Sequence, residues 1–472
     1  MTLKNIIGFA VGPLASAGLG LIFVPVVAWS FSPSDVARMN VFQIAISFSL
    51  LFTVLGLDQA YVREYHESDN KGRLLRSCFL PGFMLLGAVG AISLPFSDDL
   101  AFLLYEQADP ILYFLTISAF FALYLSRFLA LTLRMQGRGW TYSVSQIIPK
   151  VLQLILVLFI AITISYRNFL QLQSVTLLSM VALVFFCVWN TRDELKKALK
   201  ERIEFQELKR LLAFGYPLMF SSLAYWGLTA ASTLALRAWS SLDELAVYSV
   251  AGSFAGAAIV FQSIFTVIWA PTVYKWVSEG ADMSVVDRVA KQALAIIFAI
   301  VAVCGSLSWL CDWLLPSRYS DVKYILLCML MQPLLYTLSE ITCVGIGIQR
   351  RTIHSVWITL LAMLMNIVLG YFIIPSHGAA GAAASNAIAF SAFFFARTEV
   401  SSRIWRSIPR VNLYFGVILL VSLAIGMSFW ASISQSLAHI SWLLLLFSSL
   451  YFYRNQWIEL AQLLGKSRRQ IS

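Results

Sequence analysis

The chain has 472 residues, of which 59% are hydrophobic and only 12% are charged, and its mean hydropathy is +0.78. Since roughly a quarter of the residues of an ordinary soluble domain are charged, this composition excludes that class and indicates a protein whose solvent is the lipid bilayer. The net charge of +10 at pH 7 is therefore interpreted through membrane topology.

Apolar stretches joined by short polar loops run through the whole chain. A helix that crosses a bilayer needs about 20 predominantly apolar residues, and fourteen stretches approach that length. They lie at residues 5–31, 39–62, 77–97, 110–133, 141–164, 170–190, 213–238, 245–273, 290–312, 322–347, 354–374, 379–396, 411–432 and 438–453. Residues 1–31 are too long and too weakly basic at their start for a cleaved signal peptide, so they are counted as the first helix. The sequence thus predicts an all-α protein with about 14 transmembrane helices.

The basic residues predict the orientation of these helices. If the N-terminus is cytoplasmic, 27 of the 34 Lys and Arg residues fall in cytoplasmic segments and 5 in outer ones, and the remaining two, Arg127 and Lys150, lie inside spans. This asymmetry fits the positive-inside rule with both termini cytoplasmic. The excess of basic residues is then explained by topology, and no nucleic-acid partner is implied.

The longest polar segment, Thr191 to Arg210, separates two sets of six spans. It is typical of a charged amphipathic helix on the cytoplasmic face, where its lysines would meet anionic lipid, although a solvated tether is the simpler interpretation. We therefore expect an N-terminal lobe (1–190), a cytoplasmic linker (191–212), a C-terminal lobe (213–397) and a C-terminal helix pair with a cytoplasmic tail (398–472).

The two halves share a faint repeat at a constant offset of 213 residues. Phe52-Thr53-Val54 recurs as Phe265-Thr266-Val267, Tyr61 as Tyr274 and Gln136 as Gln349. With six helices in each half, the repeats would be parallel and related by an axis along the membrane normal. The same offset aligns Arg127 with Glu340.

Polar side chains share one face on each of four predicted spans, when residues are placed at 100° intervals around a helix. On the fifth span these residues are Ser143, Gln146, Lys150 and Gln153, and on the fourth they are Thr116, Tyr124, Arg127 and Arg134. On the seventh they are Ser222, Tyr225, Trp226, Thr229, Ser232, Thr233 and Arg237, and on the tenth Gln332, Tyr336, Ser339, Glu340 and Cys343. Single Ser or Thr residues in membrane helices usually bond to a neighbouring helix or to their own turn, whereas whole stripes that end on a charge predict a polar interior.

Two interpretations of the charged positions stay open. Arg127, Lys150 and Arg237 could form a cationic cavity that holds phosphate or pyrophosphate, or Arg127 and Lys150 could form buried ion pairs with Glu340 or Asp58. Glu340 could be a structural lock, or could gain and lose a proton and so couple transport to a gradient. We further hypothesise that Arg127 and Glu340 pair in one access state and separate in the other.

The remaining polar candidates have less specific assignments. Gln146 is placed in the cavity beside Lys150, and Tyr225, Trp226 and Tyr336 could stack on sugar rings, although such aromatics more often serve packing. Asp58 and Arg63 are grouped with Glu340 as coupling or gating residues. The six cysteines and four histidines have neither the spacing of a metal site nor that of a catalytic group, so the sequence predicts no enzyme, no metal and no cofactor other than a coupling ion, proton or sodium.

One sequence run carries a family resemblance. The run LGLDQAYVREYHE at residues 55–67, with Gly12-Pro13 in the first span and Ser339-Glu340 followed by Gly345 to Arg351, resembles the polysaccharide transporters of the MOP superfamily, in particular the Wzx-type flippases of lipid-linked O-antigen repeat units. The resemblance implies a two-lobed, V-shaped bundle whose central cavity alternates its access. It also implies an undecaprenyl-pyrophosphate-linked oligosaccharide as substrate and the inner membrane of a Gram-negative cell. The two helices after residue 398 depart from the plain twelve-helix pattern of that superfamily.

Three classes of function remain. A flippase of lipid-linked glycan, acting with or without a glycan polymerase and a chain-length regulator as partners, accounts for basic residues in the cavity. A multidrug exporter of the same superfamily would need intramembrane carboxylates for its cationic drugs, and this chain has few. A membrane glycan polymerase or ligase should have a long outer loop with clustered polar residues, and no predicted outer loop exceeds about a dozen residues.

Overall fold

The computed structural model describes residues 3–280, 282–351 and 353–430, together with 442, 445, 449–451, 453, 454 and 456–459. Within these ranges the chain is helical, which confirms the predicted all-α class. The helices are α1 (Leu3–Ser30), α2 (Pro33–Val54), α3 (Leu57–Glu64), α4 (Lys71–Ser93), α5 (Ser97–Tyr105), α6 (Pro110–Met135), α7 (Gly139–Thr163), α8 (Phe169–Asn190), α9 (Arg192–Lys200), α10 (Phe205–Trp239), α11 (Leu242–Ser278), α12 (Ser284–Ser306), α13 (Leu310–Leu314), α14 (Val322–Thr342), α15 (Val344–Ile348), α16 (Ile353–Ile404) and α17 (Val411–Trp430).

Twelve segments of the described chain are long and apolar enough to cross a membrane. One of them, α16, contains two of the predicted spans, 354–374 and 379–396, which meet at a kink where Gly378 has φ 48° and ψ −126°. The last predicted span, 438–453, lies mostly outside the described residues. The number fourteen therefore stays a prediction.

The predicted second span is two helices rather than one. Leu55 and Gly56 both have left-handed backbone conformations, with φ of 55° and 70°, so α2 ends at Val54 and the short α3 begins at Leu57. A Cβ atom on Gly56 would lie 2.1 Å from the carbonyl oxygen of Gly215 in α10. Only glycine allows this approach together with this φ, so α10 crosses directly over the break.

By its internal contacts the chain divides into two compact units, Met1–Gly227 and Leu228–Ser472. The division falls within α10, whose first half packs against the α2–α3 break through Gly215. The predicted lobes and linker stay a prediction. In the first unit, a core of large side chains joins α3, α4 and α6, with Tyr61, Leu74 and Phe128 almost fully buried. In the second unit, α14 is the central helix and contacts α11, α12, α16 and α17.

The backbone repeats where the sequence repeat predicts it. After α6, the amides of Gln136, Gly137 and Arg138 donate to the carbonyls of Thr132, Arg134 and Leu133. After α15, the amides of Gln349, Arg350 and Arg351 donate to those of Gly345, Gly347 and Ile346, so all six residues of the motif shift by 213. Gly137 and Arg350, the matched central residues, have φ of 73° and 54°. Both helices thus end in the same Schellman-type turn.

Candidate functional site

The first unit contains a cavity of about 190 Å³ at the α2–α3 break. Its walls come from α2, the break itself, α3, α6 and α10. The lining residues are Leu50, Leu51, Val54, Gly56, Asp58, Gln59, Arg127, Leu218, Met219 and Ser222. The left-handed turn at Gly56 redirects the chain, which lets a carboxylate and a guanidinium line a cavity whose other walls are largely apolar.

Arg127 and Asp58 form an ion pair in this cavity. The Nη2 and Nε atoms of Arg127 lie 2.6 Å and 3.2 Å from Oδ2 of Asp58, while Oδ1 of Asp58 accepts a hydrogen bond from the Gln59 amide at 2.8 Å. Asp58 lies in the first turn of α3, where the helix dipole favours a negative charge. Of the two acidic partners that the sequence offered Arg127, the structure shows Asp58.

The pairing leaves part of the Arg127 side chain available. The side chain of Asp58 is 12% exposed, but that of Arg127 is 40% exposed. A guanidinium has five N–H donors, and Asp58 accepts from only two of its nitrogen atoms. An anion that enters the cavity could therefore bind Arg127 while Asp58 keeps the guanidinium in position.

Lys150 lies in the middle of α7. None of the described residues is within hydrogen-bonding or ion-pairing distance of its ammonium group. It is partly buried, and it follows the buried Ser143 and precedes the buried Val157 by seven residues each, which places all three on one side of the helix. The exposed side chains of the middle of α7, such as Ile155 and Phe159, are apolar and lie on another side. An unpaired cation that faces protein inside a span is a candidate for ligand binding.

The other predicted cavity residues of the first unit have mixed environments. Gln146 is partly buried one turn before Lys150. Trp226 donates a hydrogen bond from Nε1 to Oγ of Ser47 at 3.0 Å, and its ring centroid lies 4.9 Å from that of Phe48, so it packs against α2. Tyr225 is partly buried beside it on α10. These contacts favour the packing interpretation for Trp226.

A second buried ion pair lies in the other unit, between α14 and α16. Nη1 of Arg397 lies 2.8 Å from Oε1 of Glu340 and 3.2 Å from Oγ of Ser339. The guanidinium carbon also lies 4.9 Å from the ring centroid of Phe393 and 5.8 Å from that of Tyr336. Tyr336 stacks on Phe393, so it supports this ion pair instead of presenting a free ring face.

Arg397 was not selected by the sequence analysis, which counted it among the cytoplasmic basic residues. A signal was present: Phe393 and Phe394 lie three and four residues after Phe390 and four and three before Arg397, and the three phenylalanines are buried. A charge at the end of a buried aromatic stripe indicates a partner on the facing helix. Here that partner is Glu340.

Arg127 and Glu340 occupy matching positions of the repeat, but their roles are reversed. In the first unit the position on α6 carries the cation, and Asp58 of α3 supplies the anion. In the second unit the position on α14 carries the anion, and Arg397 of α16 supplies the cation. Each residue has a partner inside its own unit, and an Arg127–Glu340 pair in another access state stays a prediction.

The last two predicted site residues, Arg63 and Arg237, belong to neither of these ion pairs. Arg63, at the end of α3, is exposed, and its guanidinium carbon lies 4.5 Å from the ring centroid of Phe214. Arg237 is partly buried in the last turn of α10. Among the residues that the structure describes, no group of three His, Cys, Asp or Glu side chains could hold a metal ion.

The second unit also contains a buried network of uncharged polar groups. The sequence analysis placed two of its members, Ser232 and Gln332, on polar faces, but it did not select Asn366 or Asn386. Ser232 donates to Oδ1 of Asn366 at 3.2 Å, and Asn386 donates to Oε1 of Gln332 at 3.1 Å. Asn366 and Asn386 are themselves 3.5 Å apart through Nδ2 and Oδ1. The network joins α10, α14 and both halves of α16, and its groups satisfy one another inside the apolar bundle.

Comparison with known structures identifies the fold. The chain aligns with a lipid II flippase MurJ in an inward closed conformation over 95% of its own length and 99% of that chain, with a TM-score of 0.68 and 17% identity. It aligns with inward-facing and outward-facing multidrug resistance MATE transporters of the MOP superfamily over 82% and 85% of its length and 95% and 96% of theirs, with TM-scores of 0.59 and 0.53 and identities of 16% and 15%. The chain is therefore a multi-pass membrane protein with the fold of MOP-superfamily transporters.

The family follows from the sequence itself. The family model described as "Polysaccharide biosynthesis protein" matches residues 2–276, more than half of the chain. This protein belongs to that family. The predicted resemblance to polysaccharide transporters of the MOP superfamily is thereby confirmed at the level of the family and the fold. A comparison with curated proteins gave no significant match.

Proposed function

We propose that this protein is a flippase that moves an undecaprenyl-pyrophosphate-linked oligosaccharide, such as an O-antigen or similar surface-glycan repeat unit, from the cytoplasmic to the periplasmic leaflet of a bacterial inner membrane. Membership of the polysaccharide biosynthesis family supports a glycan substrate. The fold shared with a lipid II flippase is compatible with a lipid-linked one. The observation that carries the proposal is the presence of two cations in the membrane-spanning part of the first unit, Arg127 at the cavity and Lys150 on the protein-facing side of α7.

The chemistry of such a substrate explains why these residues are required. Its pyrophosphate carries negative charge that cannot enter hydrocarbon without a large electrostatic penalty, while its prenyl chain can stay in the lipid. Arg127 would bind phosphate oxygens through its free donors, and Lys150 would contribute a point charge. Asp58 would hold Arg127 in place when no substrate is bound, which avoids an unpaired guanidinium in the empty cavity.

A multidrug or cation antiporter is less well supported. A cationic drug needs a carboxylate that is free to bind it, but Asp58 and Glu340 are each bound to an arginine. A polymerase or ligase is likewise disfavoured, because the described connections between spans on the predicted outer side are short. In these connections there is little room for an extended catalytic segment.

Coupling to a proton or sodium gradient is part of the proposal. The Glu340–Arg397 pair joins α14 to α16 through a contact of 2.8 Å, so its separation would accompany any movement of these helices past each other.

A glycan polymerase and a chain-length regulator are proposed as partners that use the flipped product. Both termini are proposed to be cytoplasmic.

The proposal is tested in cells that depend on this chain for their surface glycan. Arg127→Ala and Lys150→Ala should remove the surface glycan and cause lipid-linked glycan to accumulate, while the protein remains in the membrane. The matched control is Arg134→Ala, which removes an exposed arginine two turns further along α6 and should leave the glycan intact. Full surface glycan in either of the first two variants would contradict the proposal, as would a failure of wild-type protein to restore glycan to cells that lack it.

A further inference from the structure

The segment between α8 and α10 lies where it must meet the membrane surface. Both α8, which ends at Asn190, and α10, which begins at Phe205, are candidate membrane spans. Only fourteen residues, 191–204, connect them, and nine of these form α9. A segment this short cannot extend far from the bilayer, so the exposed side of α9 is within reach of lipid headgroups.

The structure separates most of the acidic residues in and next to this segment from its basic residues, although the two kinds alternate along the sequence. Glu204 and Glu207 are both bound to Arg73 of α4, the second at 3.1 Å. Asp193 and Glu194 lie in the first turn of α9, where the helix dipole favours acidic residues. These four carboxylates are therefore held by Arg73 or gathered at the start of the helix. Glu201, which is partly buried between Lys200 and Arg202, is the remaining carboxylate of the segment.

Four basic side chains remain exposed towards the end of the segment. They are Lys196, Lys197, Lys200 and Arg202, which we call the α9 basic face. No described acidic side chain lies within 4.0 Å of their charged nitrogen atoms. Clusters of this size next to a membrane helix attract anionic lipid through the negative potential of the membrane surface.

Exposed apolar side chains accompany the α9 basic face. Trp189, Leu199 and Phe205 are 72%, 76% and 78% exposed, and the Arg192 guanidinium carbon lies 5.5 Å from the Trp189 ring. Leu199 lies within the segment, and Trp189 and Phe205 flank it at the end of α8 and the start of α10. A solvated tether has no physical reason to expose a leucine among its charges. Aromatic and aliphatic groups beside lysines are instead the pattern of a helix that rests in the interfacial layer of a bilayer.

The helix is also held in a fixed position before any lipid binds. Ala198 is buried in the core shared with α3 and α4, and Leu195 packs on the ends of α6 and α8. Nη1 of Arg76 donates to the carbonyl oxygens of Leu199 and Glu201, at 2.7 Å and 2.5 Å. Because these contacts already order the backbone, lipid binding does not have to offset the entropy of forming the helix.

We propose that the α9 basic face is a binding site for anionic phospholipid headgroups in the leaflet on its own side of the membrane. The ligand class is a phosphodiester with net negative charge, such as phosphatidylglycerol, and the binding is electrostatic with an apolar contribution from Leu199 and Phe205. This site is separate from the cavity at the α2–α3 break. It does not depend on the proposed flippase activity.

The test uses the full-length protein in neutral detergent, titrated with phosphatidylglycerol or phosphatidylcholine, with bound lipid counted by native mass spectrometry. A variant with the four changes Lys196→Gln, Lys197→Gln, Lys200→Gln and Arg202→Gln should bind phosphatidylglycerol at least about tenfold more weakly, with a smaller dependence on salt. Its binding of phosphatidylcholine should not change. All four residues are exposed, so we expect the thermal stability of the variant to match that of the wild type.

The matched control removes the same number of exposed charges elsewhere, through Arg288→Gln, Lys291→Gln, Arg350→Gln and Arg351→Gln. This control should keep the wild-type affinity for phosphatidylglycerol within about twofold. Equal loss in the two variants would mean that only net charge matters and would overturn the proposal. Undiminished binding in the α9 variant would also overturn it, and would leave α9 as a solvated tether.

Discussion

Replacing Arg397 by Gln should destabilise the protein far more than replacing the nearby Arg403 by Gln. Arg397 and Glu340 have side chains that are only 12% and 13% exposed, so the substitution leaves a carboxylate uncompensated in the bundle. Breaking such a buried pair from one side costs about 3 to 5 kcal/mol. Arg403 pairs with Glu399 on the same helix, but its side chain is 75% exposed, and an exposed pair of this kind contributes about 0.5 kcal/mol or less.

The two substitutions are compared by thermal unfolding in detergent and by a double-mutant cycle with Glu340→Gln. The double variant Glu340→Gln with Arg397→Gln should be more stable than Arg397→Gln alone, because the second change removes the orphaned charge. Equal midpoints for Arg397→Gln and Arg403→Gln would refute the reasoning. The reasoning would also be refuted if the double variant were destabilised by as much as the two single variants together.

Three further predictions follow from single positions. Gly56→Ala should destabilise the protein by about 2 kcal/mol or more, since its Cβ would lie 2.1 Å from the Gly215 carbonyl oxygen, whereas Gly18→Ala, with open space around the added atom, should not; the thermal midpoints of the two variants decide this. Lys150→Arg should keep part of the surface glycan that Lys150→Ala loses, because the charge persists, and equal loss in both would show that the ammonium geometry, not the charge, matters. A reporter fused after Arg210 should be cytoplasmic and one at Ser376 should be outside, and finding both on the same side would reject the predicted topology.

Hydropathy and helical phase predicted most of the fold because the bilayer permits few alternatives. An apolar stretch of about 20 residues must satisfy its backbone internally, so the stretches at 110–133 and 141–164 became α6 and α7 with small shifts at their ends. The break at Gly56 was not predicted, because a single glycine within a helical pattern does not by itself indicate a break. Its cause is the close approach of Gly215, which is 159 positions away along the chain and invisible to any local pattern.

The sequence predicted the cations of the candidate site, but it did not predict which acidic residue pairs with Arg127. Helical phase placed Arg127 and Lys150 on polar faces, and the structure puts Arg127 at a cavity and Lys150 on the protein-facing side of α7. Phase cannot show which helices are neighbours, so the choice between Asp58 and Glu340 as the partner of Arg127 stayed open. Arg397 was missed because a basic residue near the end of a span has two possible roles. It can mark the cytoplasmic side of the membrane, or it can pair with an acidic residue inside the bundle.

The central claim is that this protein moves a lipid-linked glycan across a bilayer with the help of Arg127. The most direct measurement is translocation in proteoliposomes that contain purified protein and a fluorescent undecaprenyl-pyrophosphate-linked saccharide, followed by the accessibility of the headgroup to a membrane-impermeant quencher. Wild-type protein and Arg134→Ala should make the protected half of the substrate accessible, and Arg127→Ala should not. Accessibility that stays at the level of protein-free liposomes with the wild type, or translocation by Arg127→Ala at the wild-type rate, would contradict the claim.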